Sequence, residues 1–158
     1  MSKQFEQYVT QGFEGFVPVK DMISKIKEVK ACKGVYMILR PNDDAPEFLH
    51  IGSGGHFKDK DPNVNINVLM ENWIDDTDIL YIGKATSLQK RLDQYMRFGQ
   101  GQKIGHWGGR YIWQLKNAQN LIVCWKPTKD DSRLVEHELI QNFKQNHNGK
   151  RPFANLVD

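Results

Sequence analysis

Three short β-rich runs, each closed by a turn signal or a helix cap, constrain this chain more than any other feature. They are GVYMIL from Gly34 to Leu39, ILYI from Ile79 to Ile82, and LIVCW from Leu121 to Trp125. Branched and aromatic side chains fit a pleated, half-buried surface, so all three read as strands. The first ends at Arg40-Pro41-Asn42-Asp43-Asp44, a strong turn cluster; the second is followed at once by Gly83, and the third ends at Pro127. Phe48 to Ile51 reads as a further short strand, closed by the glycine cluster from Gly52 to Gly55. Two amphipathic helices follow. Ser87 caps one over residues 88–98, with Leu88, Leu92, Tyr95 and Met96 on its inner face and Gly99 as its stop. Asp131 or Ser132 caps another running to about Gln145, with Leu134, Val135, Leu139, Ile140 and Phe143 apolar.

Elsewhere the signals are weaker. Met22, Ile23, Ile26 and Val29 give helical spacing after Pro18, while residues 1–17 read as a coil packed by Phe5, Phe13 and Phe16. Val68 to Trp73 suits a short helix, and Tyr111, Ile112 and Leu115 fit one helical face or a strand. The expectation is an α+β fold: a small, mainly antiparallel three-stranded sheet flanked by helices. At 158 residues the chain is expected to be a single domain, with residues 1–32 as an N-terminal extension to a core over 33–158.

Charge divides the chain. Residues 1–83 hold 9 Lys/Arg against 13 Asp/Glu, and residues 84–158 hold 13 against 6, so a net −4 half precedes a net +7 half. The second half therefore suits an anionic partner, phosphate backbones being the commonest, unless it is simply a solvated basic surface. No apolar run reaches the ~18 residues a membrane span needs. The polar N-terminus is unlike a secretory signal, and Cys32 and Cys124 lack ligand spacing, so buried free thiols in a cytoplasmic protein are expected.

Few residues offer chemistry. Arg91 and Tyr95, four apart on one helix, share a face that suits a phosphate, or else form a surface stack. Glu136 borders the apolar face of the last helix, where a carboxylate needs a partner or a metal; Glu138 is its rival on a neighbouring face. The glycine-rich basic loop GQGQKIGHWGGR over 99–110 places Lys103, His106 and Arg110 as candidate nucleic-acid backbone contacts. The five histidines show no metal-ligand spacing, and no nucleophilic triad follows from spacing.

Taken together, Gly34-Val35-Tyr36, Tyr81-Ile82-Gly83, Arg91 on the next helix, LVEHELI with Glu136, and the closing segment from Pro152 to Asn155 resemble the GIY-YIG nuclease family. The stretch YIGKATSLQKRLDQY is similar to that of the nuclease half of bacterial excision-repair enzymes. Two departures stand out. Tyr36 and Tyr81 are 45 residues apart, much further than the family's usual spacing, so residues 41–78 are placed as an insertion. The path from Glu136 to Asn155 is also longer, with Asn146 to Gly149 as the extra loop.

The resemblance implies a divalent-metal-dependent endonuclease acting on DNA. Glu136 would hold Mg²⁺ or Mn²⁺, and Arg91 would neutralise transition-state charge. Tyr36 would activate or position water, with Lys84 lowering its pKa. Tyr81 and Tyr95 would hydrogen-bond water or phosphate, and Asn155 would orient the site. The alternative is a nucleic-acid binding module that keeps the fold without turnover. The resemblance leaves oligomeric state open.

Overall fold

The computed structural model describes residues 3–157. Its centre is a four-stranded antiparallel sheet, in the order β1-β4-β2-β3, built from β1 (Glu14–Pro18), β2 (Gly34–Leu39), β3 (Ile79–Ala85) and β4 (Ile122–Pro127). The α+β class holds, but the sheet has four strands where three were expected. Residues 1–17, read as coil, instead hold most of β1 and a short helix over Glu6–Thr10. The pairing of β1 with β4 slips between Gly15 and Val17, where Phe16 sits at φ 56°, so no regular alternation marks β1 in the sequence. The strand expected over Phe48 to Ile51 does not form. Phe48 makes one isolated antiparallel bridge to Leu115, and the neighbouring backbone bonds instead to the turn around Trp113 and Gln114.

β2 is the middle of the fold, with every residue buried. Tyr36 and Ile38 point to one face, into a cluster with α2 (Val19–Lys25), α4 (Leu88–Phe98) and the 3-10 turns of Trp107–Gln114. Val35, Met37 and Leu39 point to the other, toward α1 (Glu6–Thr10) and α5 (Ser132–Asn146). This two-sided burial explains why β2 reads as a continuous apolar run rather than an alternating one. α4 spans the expected residues, and the Ser87 side chain accepts from the Lys90 N–H at 3.3 Å as its cap. Gly99 ends this helix for a packing reason. Its backbone is right-handed (φ −66°), and a Cβ there would collide with the Trp113 ring.

The segment between β2 and β3 includes α3 (Ile66–Asn72) and is held down by two buried polar side chains. Arg40 donates to the carbonyls of Asp44 and Asp75 at 2.8 and 2.9 Å. Gln114 donates to the Leu49 and Val64 carbonyls at 3.0 and 2.9 Å and accepts from the Val64 N–H. From this segment Phe48 stacks on Phe153, near the C-terminus, and Trp73 meets the same ring edge-on. The C-terminal segment also covers the outer edge of β3. Ala154 N–H donates to Leu80, and the Asn155 amide pairs with both backbone groups of Ile82, at 2.9 and 2.8 Å. A paired edge does not template further strand addition. Among the described residues no helix is long and apolar enough to cross a membrane. Both cysteines are free, Cys124 fully buried and Cys32 half-buried.

Candidate active site

β2, β3, α4 and α5 each deliver a side chain to one cleft of about 560 Å³, lined among others by Tyr36, Tyr81, Lys84, Arg91 and Glu136. The register explains the first part of this convergence. Tyr36 pairs across the ladder with Gly83, and a Cβ on Gly83 would fall on the Tyr36 ring. A glycine there is what lets the phenol lie flat along β3, edge-on to Tyr81 at a ring separation of 6.0 Å.

Arg91 reaches in from the first half of α4. Its guanidinium donates to the Gly105 carbonyl at 3.1 Å and to Gln94 Oε1 at 3.3 Å. The surface stack of Arg91 on Tyr95 is not what forms. Tyr95 is wholly buried, its ring stacks on His106 at 3.9 Å, and its hydroxyl donates to the Gly109 carbonyl at 2.7 Å. That bond also takes Tyr95 away from the water- or phosphate-binding role expected of it; the residue braces the 99–110 loop against α4.

Glu136 stands on α5 with its side chain 14% exposed, facing Lys84 Nζ at 3.4 Å, whereas Glu138 is exposed. Lys84 is thus engaged by the carboxylate. Among the described residues no group of three His, Cys, Asp or Glu side chains could hold a metal together. Of the two carboxylates that line the cleft, Asp131 caps α5 by accepting from the Arg133 N–H, and Glu136 still fits Mg²⁺, which keeps several waters and takes one or two carboxylates alongside phosphate oxygens. Asn155 lies outside the cleft, and its two bonds to Ile82 hold β3 between Tyr81 and Gly83.

The phenols are neutral groups here. Burial raises Tyr36 well above the ordinary tyrosine value, outweighing the lowering effect of Arg91. Burial likewise pushes Tyr81 up to about 12. The Arg91 charge does not offset this desolvation, so the Tyr36 hydroxyl is neutral in this structure, and Lys84, expected to lower it, faces Glu136 instead.

His106 departs furthest from expectation. It is not a backbone contact on an open loop but is 0% exposed, with Nε2 2.8 Å from the Tyr36 hydroxyl. Arg110 is partly withdrawn as well: its guanidinium lies over the Trp107 ring at 4.6 Å and bonds the Trp107 carbonyl. Lys103 alone of the three is fully on the surface. Burial, then the Arg91 charge, hold His106 well below the ordinary histidine value. The unfolded chain then takes up a proton below pH ~6.5 that the folded chain refuses, so folding stability is lost as pH falls from there toward the folded-state value. The expected slope is about 1.4 kcal/mol per pH unit for this one proton. Urea titrations at several pH values below neutral, wild type against His106→Gln, measure it; parallel pH profiles would contradict the assignment.

Two cations in the cleft escape a motif reading. Lys90 and Arg133 line it with Ser87 and Gln94. Arg133 is three residues before Glu136 on α5, a spacing that places both on one face and was legible in the sequence.

Fold and site together define an α+β protein whose cleft gathers four cations, Lys84, Lys90, Arg91 and Arg133, and two neutral phenols beside the carboxylates of Glu136 and Asp131, a composition suited to a phosphate group. The chain is distantly similar to the UvrABC system protein C of Nautilia profundicola, with 31% identity over 70 residues. The match covers 44% of this chain and 12% of that protein, so the chain spans a small part of its relative's length. No protein-family model matches the chain, and no solved structure does.

Proposed function

We propose that this chain is a GIY-YIG-type endonuclease that hydrolyses DNA phosphodiester bonds with a divalent metal. The observation that carries the proposal is the convergence of Tyr36, Tyr81, Lys84, Arg91 and Glu136, from four separate elements, on one cleft. The distant similarity to the UvrABC system protein C points the same way.

Arg91 binds the scissile phosphate through its planar fork of donors and meets the charge that develops there. Tyr36 and Tyr81, as neutral hydroxyls, hold the attacking water in line. Glu136 would hold the metal, which would supply Lewis-acid polarisation of the phosphate. Lys84 leaves Glu136 for a phosphate oxygen, and Asn155 keeps β3 in place. Residues 41–78 form an insertion in this reading.

The test is a cleavage assay on plasmid, branched and single-stranded DNA with Mg²⁺ or Mn²⁺ and with EDTA. Metal-dependent cutting is expected; binding without cutting under every condition would replace this reading with the silent binding module.

Cations around the cleft also set the salt dependence of DNA binding. Each phosphate contact contributes about −0.9 to the slope of log affinity against log salt. Replacing Lys90 and Arg133 together by alanine is expected to lower the slope by up to ~2, read from binding isotherms over a salt series. An unchanged slope would place the DNA elsewhere.

A further inference from the structure

We propose that His106 is a positioning residue that fixes the Tyr36 hydroxyl, accepting its hydrogen at Nε2 so that the phenol oxygen turns its lone pairs to the cleft. The role rests on the nuclease reading for its consequence, but the contact itself does not. Three observations carry it. Nε2 lies 2.8 Å from the Tyr36 hydroxyl, across 70 residues of sequence. The imidazole is locked in orientation by its stack on Tyr95, nearly parallel at 14°. Finally, Nδ1 is buried with no hydrogen-bond partner, so the side chain's hydrogen bonding is directed to Tyr36.

The tautomer follows from the surroundings. His106 packs against Tyr36, Tyr81 and Tyr95, and this burial, with the Arg91 charge second, keeps it neutral. A neutral imidazole has one hydrogen. Nε2 is the nitrogen engaged by Tyr36, and the hydrogen is assigned to the other, Nδ1. With the hydrogen on Nδ1, Nε2 carries the lone pair and Tyr36 must donate. A phenol that donates inward presents only acceptor capacity outward, where an attacking water needs an acceptor. Without His106 the hydroxyl rotates, and half of its orientations point a hydrogen at the water instead.

The test has an activity arm and a spectroscopic arm. Nitrogen-detected NMR of the histidine rings in the wild-type protein is expected to show His106 as the Nδ1–H tautomer, still neutral where an ordinary histidine has taken up its proton. The Nε2 resonance should shift in Tyr36→Phe. An Nε2–H tautomer, or no response to Tyr36→Phe, overturns the proposal whether or not the protein cuts DNA. In the cleavage assay, His106→Phe keeps the stack and removes the acceptor, so kcat should fall about 10–100-fold with KM nearly unchanged. His106→Gln, whose side-chain oxygen can accept in place of Nε2, should restore most of it. Equal losses in both variants, or wild-type kcat in His106→Phe, also overturn the positioning role. A wild-type protein inert on all DNA sinks the nuclease reading instead, and the NMR result still decides the contact.

Discussion

Arg91→Ala is expected to slow DNA cleavage by roughly 10²–10³ while the protein stays folded. The side chain is only half-buried, and its two hydrogen bonds go to Gln94 and the Gly105 carbonyl at the cleft edge, not to the core. Losing them should therefore cost little stability, within the range of ordinary surface changes. What the variant removes is the guanidinium that lies near Tyr36, Tyr81 and His106 and that biases all three electrostatically. Arg91→Lys should rescue poorly, because a point charge on a flexible stem cannot make two parallel bonds to a phosphate. Single-turnover rates, with circular dichroism as the folding control, decide the matter. A folded Arg91→Ala that cuts at the wild-type rate would remove this residue from the mechanism.

Glu136→Gln is expected to abolish metal-dependent cleavage, with Glu138→Gln close to wild type as the internal control. The amide keeps the shape of the side chain and loses the charge that would hold a divalent ion. It also releases Lys84, whose ammonium now sits 3.4 Å from the Glu136 carboxylate at the mouth of the cleft, its own side chain 49% exposed. The pair is too open to hold the fold together, since exposed ion pairs contribute ~1 kcal/mol or less. Thermal melting should hardly change, and activity should be lost. The reverse order of the two glutamine variants would show that the ligand sits on the neighbouring face of α5.

Local pattern carried much of this protein. β2, β3, α4 and α5, with their caps at Ser87 and Asp131, follow from side-chain type and spacing within a dozen residues. The carriers Tyr36, Tyr81, Lys84, Arg91 and Glu136 were legible because they sit at fixed offsets on those elements and resemble a known motif set. β1 was not legible. Its strand character lies in the edge of β4, more than a hundred residues away, and its own Gly15 and Phe16 break the alternation that would betray it.

The loop over 99–110 shows the same limit at the site. Its glycines and basic residues describe an open, solvated segment, and by composition His106 belongs outside. Burial, however, is a property of what packs against a residue. Tyr36, Tyr95 and the end of α4 supply a pocket that closes over the imidazole and leaves Lys103 outside. The sequence by itself determined which residues form strands and helices and which could do chemistry. The tertiary structure decided which of them meet, and brought a motif tyrosine and an expected surface histidine together as a buried, hydrogen-bonded pair. The physical reason is desolvation, which depends on atoms contributed from across the whole chain.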